Sequence, residues 1–275
     1  MNIGKYDFPD FDVYLAHMPL QYEALAHRLS DYGIPIHKLI YVAHQGYQEA
    51  YWPLLFSGRP LRAFVEMVAR SPIVCVSHYM VQQYGFYSLR ICEEIPHHIP
   101  LDLFSPGSWK PGGEKYVNVV NNFYAPYRGV GASFWESLVE VPKALYGADN
   151  KPSDCGQLRT VSEFTNAISA ARGFLWTADC VALSFAPLEA MICGCPLIAP
   201  NNLDWAKLFV EDEEILVYSP NDKTSLFDAL KKYESSQELQ CSLSRRGQQA
   251  IAERFTLERY RRRWSRVFDE AMRRD

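Results

Sequence analysis

Residues 184–196 decide the fold of this 275-residue chain: Ser184-Phe185-Ala186-Pro187-Leu188-Glu189-Ala190-Met191-Ile192-Cys193-Gly194-Cys195-Pro196. A mostly apolar run, residues 173–185, leads into this stretch, and the β-like run 197–199 follows it. The stretch itself has the pattern of a short helix that a Gly and a Pro end. Together these segments predict a strand–turn–helix–strand unit, which is the building block of a parallel α/β sheet.

A carboxylate in the predicted helix, Glu189, indicates the kind of ligand. In parallel α/β sheets, ligands lie at the carboxyl edge of the strands, where helix N-termini offer unpaired N–H groups to anions. A Glu one turn into such a helix does not favour a phosphate, but its carboxylate can accept hydrogen bonds from the hydroxyls of a ribose. The pattern therefore predicts a nucleotide ligand. The plainer interpretation is a Glu that is favoured by the helix dipole alone.

Two α/β units and a closing helix are predicted along the chain. Residues 105–113 are rich in Pro and Gly and have the composition of a linker, so the first unit is expected at residues 1–105. The second unit is expected at residues 106–256, and the closing segment at residues 257–275, with a basic amphipathic helix from Leu257 to Met272. Strands are expected at 11–16, 39–43, 73–77 and 91–96 in the first unit, and at 116–120, 141–146, 197–199 and 214–218 in the second.

Composition and charge narrow the range of functions. Nearly half of the residues are apolar and the net charge is −4, so the chain lacks the strongly basic footprint of a nucleic-acid-binding protein. Seven Cys without a C-x-x-C pair argue against a disulfide framework and favour buried thiols over a metal site. The N-terminus has no signal-like apolar core, and no apolar run of about 18 residues occurs. These features predict a cytoplasmic protein, with peripheral contact with a membrane left open.

Residues 184–194 resemble the donor-site signature of retaining GT-B glycosyltransferases (glycosyltransferase family 4-like, also called glycosyl transferases group 1). Ala186-Pro187-Leu188-Glu189-Ala190-Met191 and Gly194 fit that signature, whereas Val181 stands where the family has an earlier Glu. Residues 95–106 are similar to the segment at the family's domain boundary. The family's first domain is usually nearly twice as long and opens with a Gly-rich loop, so the resemblance implies a shortened N-terminal domain here.

The resemblance implies an α/β protein of GT-B architecture, with two Rossmann-like domains facing a cleft and a closing helix that crosses back toward the first domain. It implies transfer of a hexose from a nucleotide diphosphate sugar, with retention of the anomeric configuration and without a metal or other cofactor. A UDP-sugar is the favoured donor, followed by a GDP-sugar. The acceptor stays open between a glycan, a lipid-linked glycan and, less favoured, a nucleic acid. An oligomer, or a partner that completes the short first domain, is also expected.

The resemblance also implies roles for individual residues. The catalytic candidates are Arg128, which would bind the diphosphate, and His44, which would face the sugar from the end of a strand. Asn122 stands in the region of the family's first cation, where its amide can donate a hydrogen bond. The other donor-binding candidates are a turn that offers backbone N–H groups and the carboxylate expected on the ribose: Leu183, Ser184, Phe185, Ala186 and Glu189. The plainer interpretations are a solvated surface Arg128 and a structural His44.

Two alternative functions remain open at this point. Val181 in place of a Glu, together with the missing first cation, favours a non-catalytic binding subunit related to glycosyltransferases. A shortened acceptor domain would leave room for a polymer, which favours a glycosyltransferase that acts on modified DNA. Nucleotide-sugar hydrolysis by the pure protein separates the first alternative from an enzyme, and salt-dependent DNA binding tests the second.

Overall fold

A computed structural model describes residues 11–44, 60–104, 109–125, 129–178, 183–203 and 205–273. The chain divides into two compact units. The first comprises Met1–Pro96 together with Tyr260–Asp275, and the second comprises His97–Arg259. The division falls between Pro96 and His97, ahead of the Pro- and Gly-rich segment where composition placed it.

Four parallel strands form the sheet of the first unit, in the order β1-β2-β3-β4. Each strand lies beside the one that precedes it in the chain, so the strand order does not reverse within the described part of this unit. The elements are β1 (Tyr14–Ala16), α1 (Pro19–Asp31), β2 (Leu39–Ala43), α2 (Leu61–Val68), β3 (Ile73–Cys75), α3 (His78–Gly85) and β4 (Ile91–Glu94).

An aromatic cluster forms the core of the first unit. The rings of Tyr22, Tyr41 and Phe64 pack edge to face, with centroids between 5.2 and 6.2 Å apart. The buried hydroxyls have partners inside the unit: Tyr22 lies 2.5 Å from the hydroxyl of Ser71, and Tyr41 lies 3.1 Å from the hydroxyl of Tyr84. These tyrosines therefore stabilise the fold and present no face to a ligand.

The closing helix, α9 (Leu257–Met272), has the bounds that its hydrophobic pattern predicts. Its buried residues are Trp264, Val267 and Ala271, which share one face. From Tyr260 onward the chain belongs to the first unit. Within that unit, Nη1 of Arg263 donates to the carbonyl of Glu94 at 2.5 Å, so α9 is tied to the end of β4.

Five parallel strands form the sheet of the second unit, in the order β6-β5-β7-β8-β9. Because β6 lies on one side of β5 and β7 on the other, the strand order reverses at β5. The strands are β5 (Tyr116–Val119), β6 (Lys143–Tyr146), β7 (Gly173–Leu175), β8 (Leu197–Pro200) and β9 (Leu216–Tyr218). The helices are α4 (Ala132–Ser137), α5 (Val161–Ser169), α6 (Phe185–Ile192), α7 (Lys223–Glu234) and α8 (Gln237–Arg254).

Helix α6 is held firmly in the second unit because α8 packs closely against it. Gly247 of α8 makes the close approach possible: a Cβ there would lie 2.8 Å from the carbonyl oxygen of Glu214 and 3.1 Å from Met191. Nε2 of Gln248 donates to the carbonyl of Ile192 at 2.7 Å, which satisfies one of the free carbonyls at the end of α6. The long helix α8 was not predicted from the sequence.

Candidate active site

The carboxyl edge of the second sheet is the place where the topology favours a ligand. In open parallel sheets, ligands bind outside the carboxyl ends of the strands, at the point where the strand order reverses. That point lies between β5 and β7. Residues 120–125 follow β5 and residues 183–189 follow β7 within the described part of the chain, so Asn122 and the turn before α6 belong to this same edge.

The loop after β5 is held in place by the loop after β6. The backbone N–H of Asn122 donates to the carbonyl of Ala148 at 2.9 Å, and the N–H of Ala148 donates to Oδ1 of Asn121 at 2.8 Å. Asn150 accepts from the N–H of Phe123 at 2.8 Å through Oδ1. Asn122 has φ +52°, a left-handed conformation that Asn tolerates well. Its exposed side chain makes no hydrogen bond with the described residues, so it can reach a ligand.

Helix α6 begins at the same edge, and the backbone N–H groups of its first turn have no acceptor among the described residues. Its N-cap, Ser184, is extended and makes no side-chain capping bond. Pro187 has no N–H, so the first-turn donors that remain are those of Phe185 and Ala186. Leu183, the residue before the cap, is buried and anchors the turn in the core. The N-terminus of α6 therefore offers backbone donors and the positive end of a helix dipole to an anion.

Glu189 lies one turn further along the same face of α6 as Phe185. Its side chain is half-buried, and burial raises the pKa of its carboxyl above the ordinary value. It makes no hydrogen bond or ion pair with the described residues. A desolvated carboxylate without a partner in the described structure can gain from hydroxyl donors that a ligand supplies.

His97 covers the start of α6, a contact that the sequence patterns did not predict. The imidazole of His97 stacks on the phenyl ring of Phe185, with centroids 4.6 Å apart and planes inclined by 22°. The available signal was the place of His97 three residues after the end of β4, in residues 95–106, the segment similar to the family's domain boundary.

The first unit carries its own histidine pair. His44 follows β2 directly, and its Nε2 lies 2.7 Å from Nδ1 of His17, which follows β1 directly. The ring centroids lie 5.0 Å apart and the planes are inclined by 29°, so the two rings meet edge to edge through these nitrogens. The sequence interpretation selected His44 and missed His17. Since β1 and β2 are parallel neighbours, a His at the end of each strand could have suggested the pair.

Two residues of the sequence interpretation lie outside the described residues: the catalytic candidate Arg128 and the departure from the signature at Val181. The cysteines beside α6 are described. Burial raises the pKa of Cys193 to about 11 and that of Cys195 well above its usual range, so both are protonated thiols. No cluster of three or more His, Cys, Asp or Glu side chains with the geometry of a metal site occurs in the described part of the chain.

Two parallel Rossmann-like sheets are the architecture of the GT-B fold. Residues 121–266, just over half of the chain, match the family model described as glycosyl transferase-like. The chain therefore belongs to the glycosyl transferase-like family and is a transferase enzyme. Among curated proteins, none matches the sequence. No helix within the described ranges is both long and apolar enough to cross a membrane.

Solved structures of glycosyltransferases share the fold. Sucrose-phosphate synthase from Thermosynechococcus elongatus matches with a TM-score of 0.73 and 14% identity, over 94% of this chain and 73% of that one. Anabaena Alr3699/HepE in complex with UDP matches with a TM-score of 0.73 and 14% identity, over 94% of this chain and 79% of that one. A glycosyltransferase from Rickettsia africae matches with a TM-score of 0.65 and 12% identity, over 92% and 81% of the two chains. These matches confirm the predicted α/β fold with two Rossmann-like units.

Proposed function

We propose that the protein transfers a hexose from a UDP-sugar to an acceptor, with the donor bound at the carboxyl edge between β5 and β7. The observation that carries this proposal is the meeting of two features at the reversal of strand order: the first-turn N–H groups of α6, and Glu189, which has no hydrogen bond or ion pair with the described residues. The choice of UDP is supported by the structurally similar HepE, which was solved with UDP and with UDP-glucose.

In this proposal the diphosphate binds at the N-terminus of α6. Negative charge develops on the leaving phosphate as the glycosidic bond breaks, so donors that are already aimed at it lower the barrier. The N–H groups of Phe185 and Ala186 supply such donors, and Arg128 supplies a fixed positive charge. Asn122, on the neighbouring loop, adds an amide donor.

The ribose binds through Glu189 in the same proposal. Its carboxylate accepts hydrogen bonds from the two ribose hydroxyls, which would relieve the unfavourable burial of an unpaired charge. His44, in the first unit, contacts the sugar or the incoming acceptor. We further propose retention of configuration and independence from metal ions, on the resemblance of residues 184–194 to the donor-site signature.

Nucleotide titration of matched variants tests the donor site. Isothermal titration with UDP, GDP, ADP and TDP identifies the base. Glu189→Gln keeps the size of the side chain and removes its charge, and we expect it to weaken UDP binding about tenfold or more, as loss of a hydrogen bond to a charged group does. Glu238→Gln, an exposed Glu in the first turn of α8, is the control and should leave the affinity unchanged. Equal affinities of the wild type and Glu189→Gln would contradict the ribose assignment.

Product analysis tests the reaction itself. The pure protein, incubated with UDP-glucose, should release UDP by slow transfer to water, and proton NMR of the earliest glucose should show the α anomer if configuration is retained. The rate should be the same in EDTA. Release of the β anomer would contradict retention, and loss of activity in EDTA would contradict metal independence.

The match to the glycosyl transferase-like family identifies an enzyme. A non-catalytic subunit, which Val181 favoured at the place of the signature's first Glu, is therefore not proposed.

A further inference from the structure

The pairing of His17 with His44 is built by the topology of the first sheet. Both residues come directly after parallel, adjacent strands, so their side chains meet at the carboxyl edge of that sheet. The backbone N–H of His17 donates to Oε1 of Gln21 at 3.1 Å, and Pro19 begins α1 two residues later. These features fix the backbone from which the ring of His17 reaches His44.

The short contact between the two rings restricts their protonation. A hydrogen bond of 2.7 Å between Nδ1 of His17 and Nε2 of His44 requires one N–H and one bare nitrogen. Two imidazolium rings at this distance would repel each other, so the pair takes up at most one extra proton. Although His17 is partly open to solvent, the burial of its ring lowers its pKa, which favours the neutral form of this partner. A neutral histidine ring intrinsically favours the tautomer with its proton on Nε2, so Nδ1 of His17 is the acceptor and Nε2 of His44 the donor in this contact.

We propose that His17 is a positioning residue for His44: it holds the His44 ring in one rotamer and one tautomer, with the proton on Nε2. In this tautomer Nδ1 of His44 carries no proton and is the acceptor nitrogen of the ring. The proposal rests on the proposed function, in which His44 contacts the transferred sugar or the acceptor. It adds a residue that the donor-site signature does not include.

Two substitutions at position 17 separate positioning from packing. His17→Phe keeps a flat ring beside His44 and removes the hydrogen bond. His17→Asn places an amide where Nδ1 lies and restores a hydrogen-bonding partner. We expect His17→Phe to lower the kcat for UDP release from UDP-glucose about tenfold, as loss of alignment does, with KM unchanged within about twofold. His17→Asn should retain more than about half of the wild-type kcat. His27→Asn, on the exposed face of α1, is the control and should retain the wild-type rate.

Nitrogen-15 NMR of the imidazole rings provides the readout that a purely structural role would not move. In the wild type, His44 should show a single tautomer with the proton on Nε2, and in His17→Phe it should show a mixture of tautomers. A mixture in the wild type would overturn the proposal even if His17→Phe fails to fold. An unchanged kcat in folded His17→Phe would also overturn it.

The same samples keep this proposal distinct from the proposed function. UDP affinity depends on residues of the second unit and should be equal in the wild type, His17→Phe and His17→Asn. If the wild type does not bind UDP, the proposed function fails, whatever the tautomer of His44. If UDP binds normally and both variants turn over like the wild type, only the role of His17 fails.

Discussion

The ring of His97 lies against the ring of Phe185, the first residue of α6, with centroids 4.6 Å apart. Phe185 is still 43% exposed, so the imidazole covers one side of a ring that otherwise faces solvent at the start of α6. His97 begins the second unit. The contact therefore fixes the turn at the N-terminus of α6 to the first residues of its own unit, at the place where we propose that the diphosphate binds.

Removing this stack should weaken nucleotide binding. An aromatic pair contributes about 0.5–1.5 kcal/mol, so we expect His97→Ala to reduce UDP affinity roughly two- to tenfold through a less ordered α6 N-terminus. His97→Phe keeps a flat ring and should bind UDP like the wild type. Isothermal titration compares the three proteins. If His97→Phe loses as much affinity as His97→Ala, the imidazole acts through its nitrogens rather than through the stack.

Glu189→Gln should raise the thermal stability at neutral pH while it weakens UDP binding. Burial raises the pKa of Glu189 above 4.5, so the native state keeps this proton to a higher pH than the unfolded chain. The native state is therefore favoured by this group at low pH, and the free energy of unfolding falls as the pH rises from the unfolded pKa to the native pKa. Gln does not ionise, so the free energy of unfolding of Glu189→Gln does not fall in this pH range through this group.

Thermal denaturation of the wild type and Glu189→Gln across the pH range tests whether the substitution raises the stability at neutral pH. The gain in Tm should be present at pH 7 and should shrink toward zero at a pH below about 4, where the carboxyl is protonated in both states. A variant that is less stable than the wild type at pH 7 would show that the charged carboxylate is stabilised in the native state, contrary to its burial without a partner among the described residues.

Gly131, just before α4, should tolerate no side chain. It has φ +77°, and a Cβ there would lie 1.9 Å from the carbonyl oxygen of Thr177, which follows β7. Gly156 has nearly the same φ, +80°, but a Cβ there would have no atom within 4 Å. Gly156→Ala should therefore lower the free energy of unfolding by the left-handed strain alone, about 1–2 kcal/mol. Gly131→Ala should exceed that loss by roughly 2 kcal/mol or more, because backbone atoms must move.

Urea denaturation of both glycine variants measures this difference directly. The comparison isolates the close approach between the segment before α4 and the segment after β7, because the left-handed conformation is common to both sites. If both variants lose the same free energy of unfolding, the chain relaxes around Gly131 without cost. The approach of Gly131 to Thr177 then does not determine the distance between β7 and α4.

The ion pair between Arg254 and Glu214 should contribute more to stability than the pair between Arg246 and Glu213. Arg254 binds both carboxylate oxygens of Glu214, at 2.6 and 2.7 Å, and these side chains are 33% and 13% exposed. The Arg246–Glu213 side chains are 55% and 54% exposed. Arg254→Met should lower the free energy of unfolding by about 2–3 kcal/mol, because it leaves a largely buried carboxylate without its cation and with only the backbone N–H of Val210 as a donor among the described residues. Arg246→Met should change it by less than about 1 kcal/mol.

Chemical denaturation of the two Arg variants, at low and at high salt, tests this ranking. The small effect of Arg246→Met should disappear at high salt, whereas the effect of Arg254→Met should persist because a buried pair is screened less. Similar losses for both variants at high salt would contradict the assigned importance of burial.

Local patterns were sufficient for many of the elements. Continuous apolar runs predicted β2, and the amphipathic period predicted α9, each with the bounds that the structure has. Helix α8 was missed because its apolar positions are sparse and Gly247 interrupts them. Helix α8 is stabilised by its contact with α6 and with the residues before β9. Gly247 allows this contact because a side chain there would collide with Glu214 and Met191. A weak helical pattern can therefore become a long helix once a neighbour supplies the buried surface.

The sequence by itself determined a parallel α/β chain and the position of Glu189 one turn into a helix, because both follow from spacing along a few neighbouring residues. Only the tertiary structure decided where the strand order of the second sheet reverses, and which residues meet at each sheet edge. His17 and His44, like His97 and Phe185, belong to segments far apart in the chain. No local period links such residues, since their contact depends on which strands and helices become neighbours when the unit folds.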